Sequence, residues 1–208
     1  MFEFNEDAGT FSILVVCTGN ICRSPLGERL LQHQLSSLPL QQSITSAGTG
    51  ALIGGDVPSA IRDIANSLNA PVDGHVPRQI SAEMVRSSTL ILTAERSHRS
   101  EVVSLVPRAS NKTFTLKQFA RLCQEHEDFV GQGTLSAPNI TQLSDLIVEI
   151  SDFRSLATPP EHNSSDDVED PYRRSQADYL LAGDEINKAT KTISAVISKY
   201  LQPAQNPN

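Results

Sequence analysis

The chain of 208 residues is 38% hydrophobic and 20% charged, a composition that predicts one globular domain, or one domain with a sizeable insertion, and excludes a disordered or fibrous chain. Its longest apolar runs fall far short of the ~20 residues of a membrane span, and a net charge of −7 argues against a broad nucleic-acid surface while leaving room for a local anion site. Three cysteines are too few for a secreted disulfide framework, and the N-terminal MFEFNEDAGT lacks the basic and apolar regions of a signal peptide, so a cytoplasmic protein is expected.

Phe11 to Cys17 is a continuous β-prone run, the pattern of a strand buried on both faces. Thr18-Gly19-Asn20 then signals a turn. Ser24-Pro25 reads as an N-cap followed by Pro at the first helical position, and Leu26, Leu30, Leu31, Leu35 and Leu38 share one face of the helix that follows. A second strand over residues 43–47 leads through the glycine-rich GTGALIGG to a helix over 58–69. Residues 89–94 read as a third buried strand, followed by a helix through Val102, Val103 and Val106 that Pro107 closes. Residues 112–116 supply a fourth strand. This alternation predicts an α/β fold of three layers, a four-stranded parallel sheet with helices on both faces.

Beyond Leu116 two helical patterns follow without a strand between them. Phe119, Leu122 and Cys123 mark one; Leu143, Leu146, Ile147, Ile150 and Phe153 mark the other, with Asn139 as its cap. They predict a helical insertion over about 119–167 in a single domain whose core is about 11–118 and 168–201. Residues 156–169, rich in Pro, Ser and acids, read as an exposed loop, and a last helix runs over about 174–201 before a frayed PAQNPN tail.

Chemistry concentrates in Cys17-Thr-Gly-Asn-Ile-Cys-Arg23-Ser24-Pro25, where five residues separate a Cys from an Arg between a buried strand and a helix start. A short loop wrapping a helix N-terminus can turn successive backbone N–H groups into one concavity that suits a tetrahedral dianion. Arg23 adds a planar fork for two equatorial oxygens. Cys17, at the bottom of the same concavity, has its thiolate form favoured by those N–H groups and by Arg23, and is aimed at the bound phosphorus. Departure of an alcohol needs a proton, and Asp170-Pro171-Tyr172 supplies the candidate, Pro171 stiffening the turn that presents Asp170. Asp166, Asp167 and Glu169 compete for the role and rank lower because no Pro follows them.

These residues resemble the low-molecular-weight protein tyrosine phosphatases. VCTGNICRSP, ITSAGTG, GHVPRQIS, LILTAERSH and DPY occur in the order of that family and span most of the chain. The resemblance implies a phosphocysteine intermediate and no metal or organic cofactor. Carried over by position, Cys17 is the nucleophile, Arg23 the phosphate clamp and Asp170 the general acid. The loop residues Thr18, Gly19, Asn20, Ile21, Cys22 and Ser24 surround the phosphate, and Asn20, Ser24, Ser46 and His75 form the polar network that holds the loop in shape. Cys22 matches a family cysteine that can form a reversible disulfide with Cys17; read from its own surroundings it is equally a small apolar residue. GALIGG and LILTAERSH are most similar to bacterial members that act on autophosphorylated tyrosine kinases of polysaccharide export. Where members of the family often carry an aromatic residue after SAGT, this chain has Ala51, Leu52 and Ile53, so recognition of a phosphotyrosine ring falls to Leu52 and Tyr172. A phosphotyrosyl protein is the expected partner, with phosphate or sulfate binding in the loop.

Two rival readings share the loop. A thiol-linked arsenate reductase passes oxidation to further cysteines, and here only Cys123 lies downstream, on a helix and on its apolar side. A non-catalytic phosphotyrosine-binding or redox-sensing module would not need the Cys17, Arg23 and Asp170 set. His33, His98, His126 and His162 show no paired metal-ligand spacing.

Overall fold

The computed structural model describes residues 11–202. The segments 1–10 and 203–208, which include the signal-peptide reading and the tail, lie outside the described residues. Four parallel strands, β1 (Phe11–Cys17), β2 (Gln42–Gly48), β3 (Leu90–Thr93) and β4 (Thr113–Thr115), form one sheet in the order β2-β1-β3-β4. Seven helices accompany them among the described residues: α1 (Arg23–Gln34), α2 (Ser59–Ser67), α3 (Ala82–Ser87), α4 (Arg96–Leu105), α5 (Leu116–Gly131), α6 (Leu143–Phe153) and α7 (Gln176–Leu201). The alternation of side chains along β1 explains the layers. Ile13 and Val15 face the larger cluster, made with α1, α2, α5, α6 and α7, while Leu14 and Val16 face a smaller one with Val85 of α3 and Val102 of α4.

Strand order reverses direction between β1 and β3, which opens a crevice beyond the carboxyl ends of those two strands. Cys17 ends β1 there, and Glu95 follows β3 there. The topology thus places the loop of the Cys-to-Arg motif beside the chain leaving the third strand.

Several local expectations are corrected. Helix α1 starts at Arg23, with Cys22 at its N-cap position, so Ser24 is not a cap; its hydroxyl is turned toward Cys17 instead. Gln142 caps α6 in place of Asn139, because its side chain and that of Asp145 exchange hydrogen bonds with the first turn. The short α3 and a 3₁₀ turn over Pro107–Lys112 have too few residues to show a period. Loop 156–169 is not uniformly exposed. It contains a 3₁₀ turn, Asn163–Asp166, and Asp166 and Val168 are buried. Thr115 Oγ1 donates to the Asp166 carbonyl at 2.6 Å, and the Val168 N–H donates to the Ala94 carbonyl at 2.8 Å. These bonds stitch the acid-rich segment to the carboxyl ends of β3 and β4.

Candidate active site

The loop between β1 and α1 is held by its carbonyls. Cys17 O accepts from the N–H of Thr49, Thr18 O from Gly50 and Gly19 O from Leu52, at 2.9–3.0 Å, and Asn20 O accepts from His75 Nε2 at 2.8 Å. Four successive carbonyls are therefore engaged by surrounding chain. Among the described residues, the backbone N–H groups of Gly19 to Cys22 donate to no protein acceptor. Such a run of free amides at a helix start, together with the helix dipole, is a cradle for an anion. The close approach of the second strand makes Gly48 obligatory, since a Cβ there would lie 2.3 Å from the Thr18 carbonyl oxygen.

Asn20 adopts φ of 55°, a left-handed conformation that costs a non-glycine residue about 1 kcal/mol or more. Its side chain compensates. Nδ2 donates to Ser24 Oγ and to Ser46 Oγ, both at 2.9 Å, and Oδ1 accepts from the Arg78 N–H at 2.9 Å. Ser46 Oγ in turn donates to the carboxylate of Glu28 at 2.6 Å. The acceptor-only carboxylate fixes the direction of this chain: Ser46 gives its proton to Glu28 and so can only accept from Asn20. Ser24 also accepts from Asn20, which leaves its single proton for Cys17 Sγ at 3.0 Å, the alternative acceptor, Ala47 O, being 3.5 Å away. A hydroxyl thus oriented favours negative charge on sulfur.

Arg23 is 2% exposed. Its Nη1 donates to Glu95 and to the Val168 carbonyl at 2.9 Å; its Nη2 meets Asp170 Oδ2 at 3.1 Å, and Nε has no partner. Glu95 and Val168 thereby fix one corner of the guanidinium and Asp170 takes one side of Nη2, so the fork that can receive two oxygens is Nε with the other N–H of Nη2. Glu95 balances the charge of the buried Arg23. Asp170 is partly exposed, and its Oδ1 accepts from the Tyr172 N–H at 3.3 Å. The competing acids are otherwise engaged: Asp166 with Arg121, Asp167 with Arg96 and Glu169 with Arg174, each at 2.9 Å. A cavity of about 630 Å³ opens beside Thr18, Arg23, Glu95 and Asp170.

The remaining residues singled out from sequence fall into two groups. Leu52, half-exposed, lies over Gly19 beside the exposed Ile53, and Tyr172 packs partly into the core next to Asp170. Ile21 and Cys22 turn their side chains into the core, so only their backbone can reach an anion. Burial, reinforced by Cys17 and Asp170, pushes the Cys22 thiol up to about 12, and burial also pushes the Cys123 thiol well up; both stay protonated near neutrality.

Four residues of this network are given no role by the sequence: Glu28, and Arg78, Glu95 and His98, which lie within GHVPRQIS and LILTAERSH. His98 Nδ1 accepts from the Glu95 N–H at 3.2 Å, so its neutral ring carries the proton on Nε2 and donates to Thr18 Oγ1 at 2.8 Å. Burial first, and the charge of Arg23 second, lower its pKa below the ordinary 6.5, outweighing Glu95, Glu101 and Asp170. An unfolded chain therefore takes up this proton at a higher pH than the folded one, and stability falls as pH drops below 6.5, at up to about 1.4 kcal/mol per pH unit. Thermal melts between pH 7.5 and 5.5 should show this fall, and His98→Asn should flatten it; an unchanged slope in the variant would assign the acid sensitivity elsewhere.

Comparison with known proteins places this geometry. The model of the low molecular weight phosphotyrosine protein phosphatase family matches residues 12–132. The low molecular weight protein-tyrosine-phosphatase Etp of Escherichia coli K12 is 40% identical over 108 residues, 52% of this chain and 70% of that protein. A probable low molecular weight protein-tyrosine-phosphatase, AmsI of Erwinia amylovora, is 44% identical over 102 residues, 49% of this chain and 68% of that protein. Among solved structures, Erwinia amylovora tyrosine phosphatase AmsI superposes with a TM-score of 0.61 at 26% identity, covering 91% of this chain and 94% of that one. The tyrosine phosphatase Wzb from Escherichia coli K30 in complex with sulphate gives 0.60 at 26% identity, covering 88% and 96%.

Proposed function

Since the chain belongs to the low molecular weight phosphotyrosine protein phosphatase family, whose members are cysteine-dependent phosphatases, we propose that Cys17, Arg23 and Asp170 carry out that chemistry on phosphotyrosyl protein. The observation that carries this assignment is the oriented chain Glu28, Ser46, Asn20, Ser24, Cys17, which points a hydroxyl proton at the sulfur in the loop that ends at Arg23, whose Nε has no partner. The Arg23 fork and the loop amides of residues 18–24 hold the phosphoryl oxygens. Cys17 Sγ attacks phosphorus while the P–O bond to tyrosine breaks, and Asp170 gives its proton to the departing phenolic oxygen. Water then attacks phosphorus, Asp170 takes the water proton, the S–P bond breaks, and the sulfur leaves as thiolate stabilised by Ser24. No metal or organic cofactor enters these steps. Ser46 and His75 support the loop, and Leu52 and Tyr172 flank the ring.

The domain reading belongs to the same proposal: one phosphatase domain with a helical insertion over about 119–167. The finer partner, an autophosphorylated tyrosine kinase of polysaccharide export, rests on the resemblance of GALIGG and LILTAERSH to bacterial members that act on such kinases. Among the described residues no helix is long and apolar enough to cross a membrane. The test is rapid mixing with an aryl phosphate, which should release a burst of about one equivalent of phenol per chain before steady turnover, with phosphate recovered on Cys17 by acid quench and mass spectrometry. Thiol-dependent reduction of arsenate faster than this hydrolysis would support the reductase reading instead. The buried, protonated Cys123 is poorly suited to relay that oxidation.

A further inference from the structure

Away from the catalytic loop, one cavity gathers cations in a protein of net charge −7. It measures about 240 Å³, roughly eight water volumes at ~30 Å³ each, and Arg96, Gln118, Arg121, Arg154, Thr158 and Asn163 are among the residues that line it. Two of the arginines are neutralised. Arg96 forks Asp167 through Nε and Nη2 at 2.9–3.2 Å, and Arg121 forks Asp166 at 2.9 and 3.1 Å while donating to the Thr158 carbonyl.

Arg154, at the carboxyl end of α6, is not neutralised. It has no carboxylate partner among the described residues, and its Nε and Nη2 are buried without a hydrogen-bond acceptor. Its guanidinium lies 4.2 Å over the Phe114 ring, a face that attracts a cation but offers no acceptor oxygen. Gln118 lines the same cavity, and its Oε1 is also buried and unpartnered. Burial, and the nearby charge of Arg99, both lower the pKa of Arg154, as expected for a cation lacking its counterion. Buried donors of a charged group are costly to leave unmet, so a ligand that supplies acceptors there binds with a gain.

We propose that this cavity binds a small oxyanion of the size of inorganic phosphate, held by Arg154 with the Gln118 amide and flanked by Arg96 and Arg121. Phosphate matches both orphaned groups. The orphaned atoms are sealed from the cavity as they stand, so binding turns the ends of Arg154 and Gln118 toward it; the anion's charged oxygens then accept from the guanidinium, and its hydroxyl donates to Gln118 Oε1 or, with the amide turned over, the NH₂ donates to the anion. The volume leaves space for one such ion with a few waters and excludes a long polyanion from full enclosure. The two carboxylates that neutralise Arg121 and Arg96 belong to the segment leading to Asp170, so the ion would sit at the root of the chain that presents the acid.

Titration calorimetry of the full chain with inorganic phosphate, at ionic strength held constant with chloride, tests the site. The wild-type protein should take up phosphate at two sites. Arg154→Met should weaken one of them by about tenfold or more while aryl phosphate turnover stays within about twofold. Arg23→Met should remove the other and spare this one, so that failure of the catalytic assignment and failure of this one give different patterns. Sulfate, similar in size, should compete at the second site. Should Arg154→Met not fold by circular dichroism, Gln118→Leu serves in its place and should weaken the same site severalfold. A single phosphate site in wild type, a second site indifferent to these substitutions, or an effect that chloride reproduces would overturn the proposal.

Discussion

Replacing Cys17 by Ser is expected to lower kcat/KM for an aryl phosphate by ~10⁴-fold or more, a loss of about 5.5 kcal/mol of transition-state stabilisation. A serine hydroxyl attacks only if a base takes its proton; Asp170 enters that step already protonated, as the acid, and among the described residues neither neighbouring histidine is placed to do so. His98 spends its Nδ1 on the Glu95 N–H and points Nε2 at Thr18, and His75 Nε2 is committed to the Asn20 carbonyl. Ser24 could accept a proton from a serine at position 17 only by giving up its donor role toward that atom. Anion binding uses other groups, the loop amides and the Nε and Nη2 edge of Arg23, so affinity for inorganic phosphate should stay within about fivefold of wild type. Steady-state kinetics and phosphate titration on the same preparation decide it: retained turnover would remove Cys17 from the mechanism, and lost binding with lost turnover would make it a structural residue of the loop.

What could be read from sequence followed the apolar period and the turn chemistry. Phe11 to Cys17 is apolar but for Ser12, and the strand has those bounds; Leu143 to Phe153 keeps a helical period, and α6 has those bounds. The turn signals around Thr18 and Pro171 marked the loop and Asp170, which meets Arg23 at 3.1 Å. Polar residues whose partners are distant in sequence were not legible. Glu95 meets Arg23 across 72 positions, and Val168 meets it across 145. Glu28 looks like a solvated helix residue, and becomes buried only because Ser46 arrives from β2 to use it. One signal could have found Glu95 and His98. The chain leaving β3 lies beside the chain leaving β1 in any sheet whose order reverses there, so charged residues just after the third strand face the loop. Ser24 was misread as a helix cap for a related reason. Local preference assigns its hydroxyl to the helix, while Asn20 and Cys17 bind it more closely.

Asp170→Asn should depress turnover of a phenyl phosphate by ~10²- to 10⁴-fold, the usual contribution of a positioned acid, and leave binding of phosphate or vanadate nearly unchanged. The amide is isosteric but has one acceptor oxygen where the carboxylate uses two; kept toward Arg23 Nη2, it gives up only the longer 3.3 Å contact with the Tyr172 N–H, so the loop should keep its shape. What the amide lacks is the proton for the departing oxygen. That lack matters in proportion to the basicity of the leaving group, which separates the acid from a residue that merely positions Arg23. For wild type, rates should vary little across a series of substituted phenyl phosphates, because Asp170 neutralises each oxygen as it leaves. For Asp170→Asn they should climb steeply as the phenol becomes more acidic, and the deficit should shrink toward nothing with a dinitrophenyl group. A deficit of equal size across the series would mean that Asp170 acts through its 3.1 Å contact with Arg23 and gives no proton. The acid would then have to be sought among Asp166, Asp167 and Glu169, each of which must first leave its arginine.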